Sequence, residues 1–141
     1  MTNNQVLKLY LLQSENVRAL DRAKKALIKD VNFYIRKSDP FQIETKTKIL
    51  ALLYSAWSEA QFLQIMYTPS GFSNTERDSI KATKDGSGVS DGWKKMLDIA
   101  LSKVPNWRKS AELQNRRKSL FKLIDDYLST GQKIDQALPR G

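Results

Sequence analysis

From Asn4 to about Arg36 the chain contains neither Gly nor Pro. Across that stretch Tyr10, Val17, Leu20, Leu27, Val31 and Tyr34 follow one another at intervals of seven, three, seven, four and three. Strands repeat every two residues and helices about every 3.6, so this spacing is one apolar stripe along a helix. At about 1.5 Å per residue such a helix crosses a whole small domain, and any fold has to be built along it. Lys8, Arg18, Asp21, Arg22, Lys24, Lys25 and Lys29 lie mostly off the stripe. Ser38-Asp39-Pro40 should end the helix, because Pro cannot continue the hydrogen-bond ladder.

A second helix is expected from about Glu44 to Tyr67. Its apolar residues, among them Leu53, Trp57, Ala60 and Leu63, cover nearly the whole circumference. A helix apolar all round belongs at the centre of a bundle, and these four residues are the expected core. Ser55, Ser58, Glu59, Gln61 and Gln64 interrupt its longest apolar run, which reads as a buried helix rather than a membrane span. Thr68-Pro69-Ser70-Gly71 forces a turn, and Ser73-Asn74-Thr75-Glu76 has capping-box spacing for a short helix to about Lys84. Asp85-Gly86-Ser87-Gly88 reads as a connecting loop. A fourth helix capped by Ser90 or Asp91 should reach about Val104, and a last one should run from about Arg108 to Leu128, stopped by Ser129-Thr130-Gly131. No alternating strand pattern or internal repeat appears. The expected fold is all-α: one domain over residues 1–141, a bundle of four to five helices with two or three long antiparallel ones. Residues 132–141 form a short turn and frayed tail.

The chain has no His and no Cys. That excludes Ser-His-Asp and Cys-His nucleophile systems, thiolate chemistry and ordinary zinc sites. No cofactor, metal or catalytic residue is assigned, and the expectation leans away from an enzyme. The N-terminus lacks the basic-then-apolar order of a signal peptide, and the expected location is cytoplasmic, away from membranes. A net charge of +9 favours polyanionic partners. The densest basic cluster is Arg108, Lys109, Arg116, Arg117, Lys118 and Lys122, a broad surface suited to RNA or DNA phosphates without sequence readout. Glu59 is the only charge between Lys48 and Glu76, so it marks a candidate polar site buried within the bundle. Asp125 and Asp126 diverge by about 100° on a helix and read as surface residues rather than a metal pair.

The words Leu53-Tyr54-Ser55-Ala56-Trp57-Ser58-Glu59-Ala60-Gln61-Phe62-Leu63, Tyr67-Thr68-Pro69, Gly71-Phe72 and Trp93-Lys94-Lys95 resemble bacterial HEPN-like proteins over residues 45 to 128. The resemblance implies a four- to five-helix bundle, often dimeric, in a family rich in RNA-cleaving toxins and defence effectors. It also implies that Glu59 supports a catalytic Arg and His. The family's motif, an Arg followed four to six residues later by His, has no match in a chain without His. Either the motif lies outside these 141 residues or the protein is a non-cleaving relative that binds RNA, dimerises or restrains an active partner. A protein-interaction or regulatory domain without nucleic-acid binding is the alternative. A DNA-binding regulator is a further one, although long helices argue against a compact helix-turn-helix.

Overall fold

In a computed structural model, residues 1–137 are described, with side chains as far as Leu128. Five α-helices carry the fold, and no strand occurs among the described residues: α1 (Asn3–Arg36), α2 (Pro40–Met66), α3 (Asn74–Ser87), α4 (Val89–Ser102) and α5 (Ala111–Ala137). The protein is an all-α helical bundle.

The first two helices form a long antiparallel hairpin. Thr2 caps α1 through a capping box with Gln5. Pro40 does more than stop α1: Asp39 caps α2 by accepting from the Gln42 N–H at 3.1 Å, and Pro40 occupies the first turn, where its missing N–H costs nothing. The second helix therefore begins at Pro40 rather than Glu44. Its register follows from two contacts. Gln64 Nε2 donates to Ser14 Oγ at 3.1 Å, and Lys24 Nζ sits 4.5 Å from the Tyr54 ring centre. Each pair straddles Asp39 symmetrically, so the two helices run past each other without a slip.

The expected loop at Asp85–Gly88 is helical through Ser87, and α3 passes directly into α4 at Gly88. Gly88 alone makes the turn, at φ 104° and ψ 173°, a backbone conformation that is essentially glycine's own. No side chain caps α4, so neither Ser90 nor Asp91 has the capping role expected of it. The α3–α4 pair closes tightly because Gly92 has no side chain: a Cβ there would lie 2.9 Å from Lys84 Cβ. Gly86, in the last turn of α3, faces open space. Two glycine substitutions should therefore act in opposite directions. Gly86→Ala is expected to stabilise by about 0.5–1 kcal/mol through helix propensity and a less mobile unfolded chain. Gly92→Ala should destabilise by about 1 kcal/mol or more, because the clash with the facing backbone outweighs the same propensity gain. Paired thermal melts would decide it, and equal shifts would show that the two helices are not in close contact.

After α4 ends at Ser102, short of Val104, a 3-10 turn at Trp107–Lys109 leads into α5. The Leu113 N–H donates to Ser110 Oγ at 3.3 Å, so α5 starts at Ala111 rather than Arg108. Ser129-Thr130-Gly131 does not stop α5, which continues to Ala137. A single glycine costs a helix only about 1 kcal/mol and does not by itself end it. The turn and frayed tail expected at 132–141 are thus replaced by helix as far as 137, and 138–141 lie outside the described residues.

The core is displaced from the centre of α2. Val6 of α1, Phe62 and Met66 of α2, Tyr67, Ile80 of α3 and Met96 of α4 form one buried cluster. Of the four residues expected there, Ala60 is buried and Leu63 packs against the cluster, whereas Leu53 and Trp57 are only half-buried. The reason is length: α3 and α4 are 14 residues each against 27 for α2, so they cover one end of it. Arg77, buried beneath the turn before α3, donates to the Phe72 carbonyl and to Asn74 Oδ1, closing that turn over the core.

Candidate nucleic-acid interface

The basic cluster expected on the last helix divides once its partners are visible. Arg117 Nε and Nη2 donate to the two carboxylate oxygens of Asp98 on α4, at 2.7 and 3.2 Å. Donating to the Asp98 carboxylate raises the Arg117 pKa, and the guanidinium also stacks 4.1 Å from the Phe121 ring centre. Arg116 pairs with Glu112 at 2.7 Å, and Lys122 with Asp126 at 2.7 Å, the latter contact raising the lysine's pKa. Half of the cluster is therefore neutralised within the molecule. Arg117 is a tie between α4 and α5, reinforced by Lys94 and Asp125 at 2.7 Å, a pair that lowers the Asp125 pKa. Asp125 and Asp126 thus serve different partners.

Arg108, Lys109 and Lys118 have no carboxylate partner among the described residues. Arg108 and Lys118 border a cleft of about 430 Å³ with Trp107, Ser102, Asp98, Gln114 and Arg117. The Arg108 guanidinium carbon lies 5.6 Å from the Trp107 ring centre. An aromatic face beside unpaired cations can hold a base against phosphate contacts, although Asp98 already claims the arginine at its back.

Glu59 is not a buried site. It is exposed, and its carboxylate accepts from Lys84 Nζ of α3 at 3.1 Å. Apolar neighbours in sequence suggested burial, but the Glu59 side chain stays 62% exposed at the edge of α2, beside Lys84 of α3. The buried charge between the long helices is instead Lys24, 6% exposed, whose ammonium stands 3.3 Å from the Trp57 ring centre and 3.9 Å from Asp21. Burial lowers its pKa, with Asp21 pulling in the opposite direction.

A second basic surface lies on α1. Arg18, Arg22, Lys25, Lys29 and Arg36 are all exposed, and at 100° per residue they fall within about 60° of one another along roughly 27 Å of helix. Lys25 pairs with Asp21 at 2.8 Å, and the other four have no carboxylate partner among the described residues. Attention to local charge density missed this row because its members are spread over nineteen positions. The signal that finds them is spacing, at i, i+4, i+7, i+11 and i+18.

Among the described residues no group of His, Cys, Asp and Glu side chains is placed to hold a metal ion, and no helix is long and apolar enough to cross a membrane. Compared with protein families, curated proteins and solved structures, the chain matches none.

Proposed function

We propose that this protein is a HEPN-like, non-cleaving helical module that binds RNA backbone, and that it acts beside a toxin or defence effector rather than as one. The observation that carries the binding is the exposed α1 row, where Arg18, Arg22, Lys29 and Arg36 present unpaired cations along one line. Four such charges along a rigid rod can follow a phosphate chain without reading bases. The absence of His supports the non-cleaving part: Lys and Arg steady phosphate charge but are poor proton shuttles near neutral pH. Glu59, the position that the family resemblance favours for a supporting carboxylate, faces solvent and Lys84.

The test is a mobility assay with single-stranded RNA at several salt concentrations. Four phosphate contacts predict a log–log salt slope of roughly −3. Arg18→Glu, Arg22→Glu and Lys29→Glu together should abolish binding, whereas Arg116→Glu with Lys122→Glu should leave most of it, because those cations are already paired. The RNA should be recovered intact. Failure of the native chain to bind would end the proposal. Loss of binding only on replacing Arg108, Lys109 and Lys118 would move the site to the α4–α5 cleft.

A further inference from the structure

The turn that joins α1 to α2 holds three large apolar side chains in the open. Phe33 is 45% exposed, Ile35 52% and Phe41 71%, the last being the most exposed large apolar residue among the described ones. The buried cluster that holds the fold lies at the other ends of these helices, at Val6 of α1 and at Phe62 and Met66 of α2. Twenty-one residues separate Phe41 from Phe62, about 30 Å of helix, so that cluster gives the turn no cover.

Their placement says what kind of medium they suit. Lys24 and Trp57 mark the line along which the two helices touch. At 100° per residue Phe33 lies about 180° round α1 from Lys24, and Phe41 about 160° round α2 from Trp57. The two rings therefore stand on opposite outer sides of the hairpin. Ile35 lies about 20° from Lys24, at the mouth between the helices. A protein surface or a nucleic-acid strand covers one face of a rod, whereas apolar groups all round its end are satisfied by a medium that surrounds them. Ile35 also offers no ring on which a base could stack. Phe33 and Ile35 lie within about 6 Å of Lys37 along α1, and Phe41 is in the first turn of α2. Interfacial segments enter a bilayer to a comparable depth, about 5–10 Å.

The charges around the tip match an anionic surface. Lys29, Arg36 and Lys37 are exposed, and Lys37 Nζ stands 5.6 Å from the Phe33 ring centre. From Lys29 to Lys48 five cations meet three carboxylates. Of those carboxylates Asp39 caps α2, and Glu44 is paired with Lys48 at 2.9 Å. Long basic side chains keep their charged ends at the headgroups while apolar neighbours go deeper. We propose that the α1–α2 turn is a docking tip for an anionic lipid surface, with Phe33, Ile35 and Phe41 entering the bilayer interface and Arg36 and Lys37 meeting lipid phosphates. Three apolar side chains make a reversible contact rather than an anchor, and this mode needs no helix that crosses the membrane.

Co-sedimentation of the full chain with vesicles tests this, using phosphatidylcholine alone and phosphatidylcholine mixed with phosphatidylserine. The native protein should bind the mixed vesicles and bind phosphatidylcholine alone at least about tenfold more weakly. Arg36→Gln and Lys37→Gln should each weaken binding about fivefold. Ile35→Ser with Phe41→Ser should weaken it at least several-fold while keeping a near-native melting temperature, since both residues are exposed. That double variant should also shift RNA as the native chain does, because neither residue belongs to the α1 row. The chain has no Cys, so Phe41→Cys takes a single environment-sensitive dye. Its emission should move to the blue on mixed vesicles, and the same dye on Leu123→Cys of α5 should not. A native chain that ignores the mixed vesicles, a serine double variant that binds them as the native does, or equal dye responses at the two sites would each overturn the proposal. So would loss of RNA binding in the serine double variant, which would make the tip a nucleic-acid contact.

Discussion

Phe62→Ala is expected to cost about 3–5 kcal/mol, the range for deleting a fully buried aromatic ring. Phe62 is 1% exposed and meets Trp93 edge to face at 5.3 Å between ring centres. It lies where α1, α2, α3 and α4 all contribute to one cluster, so no single helix can move in to fill the space. Domains of this size are stable by only about 5–15 kcal/mol, and the core is small for the length of its helices. The variant should therefore sit near the edge of folding, with a large fall in denaturation midpoint. Leu123→Ala is the control: Leu123 is 62% exposed, and its loss should stay within about 0.5 kcal/mol. A loss below 1 kcal/mol at Phe62 would mean that the helices do not converge there.

Lys24→Ala should cost about 2–3 kcal/mol, a large effect for removing a charge. Three methylenes of its stem are buried between the long helices, at about 0.8 kcal/mol each. The ammonium lies against the Trp57 and Tyr54 rings, a contact worth up to about 2 kcal/mol when desolvated. Against this stands the penalty for burying the charge, visible in its lowered pKa. The charge contributions oppose one another, so the packing should dominate the balance. Lys24→Met, which keeps the stem volume, is accordingly expected to cost less than about 1 kcal/mol. Chemical denaturation of both variants separates the contributions. If Lys24→Met costs as much as Lys24→Ala, the rings and Asp21 hold the ammonium more strongly than burial opposes it.

Helix class and the order of the elements were legible in the residues, because apolar spacing and capping are local. The interval pattern from Tyr10 to Tyr34 and the Ser73–Glu76 capping box both correspond to helices in the structure. Boundaries were legible only where one residue decides them. Pro40 was read as a stop and proved also to be a start, because its effect depends on Asp39 capping the next turn. Gly86, Gly88 and Gly131 look alike in sequence, yet only Gly88 turns the chain. Whether a glycine is tolerated inside a helix depends on what packs around the neighbouring turns.

The sequence alone determined that this protein is helical, basic and without imidazole or thiol chemistry, since these are sums over residues or nearest-neighbour patterns along the chain. The tertiary structure alone decided which charges remain unpaired. Arg117 is claimed by Asp98, nineteen residues away and on another helix, while the scattered Arg18, Arg22, Lys29 and Arg36 line up and stay exposed. It also decided what lies inside. Lys24 is buried and Glu59 is not, because burial depends on what covers a face: the Lys24 ammonium lies against Tyr54 and Trp57 of α2, whereas Glu59 lies at the edge of α2, where only Lys84 of α3 reaches it.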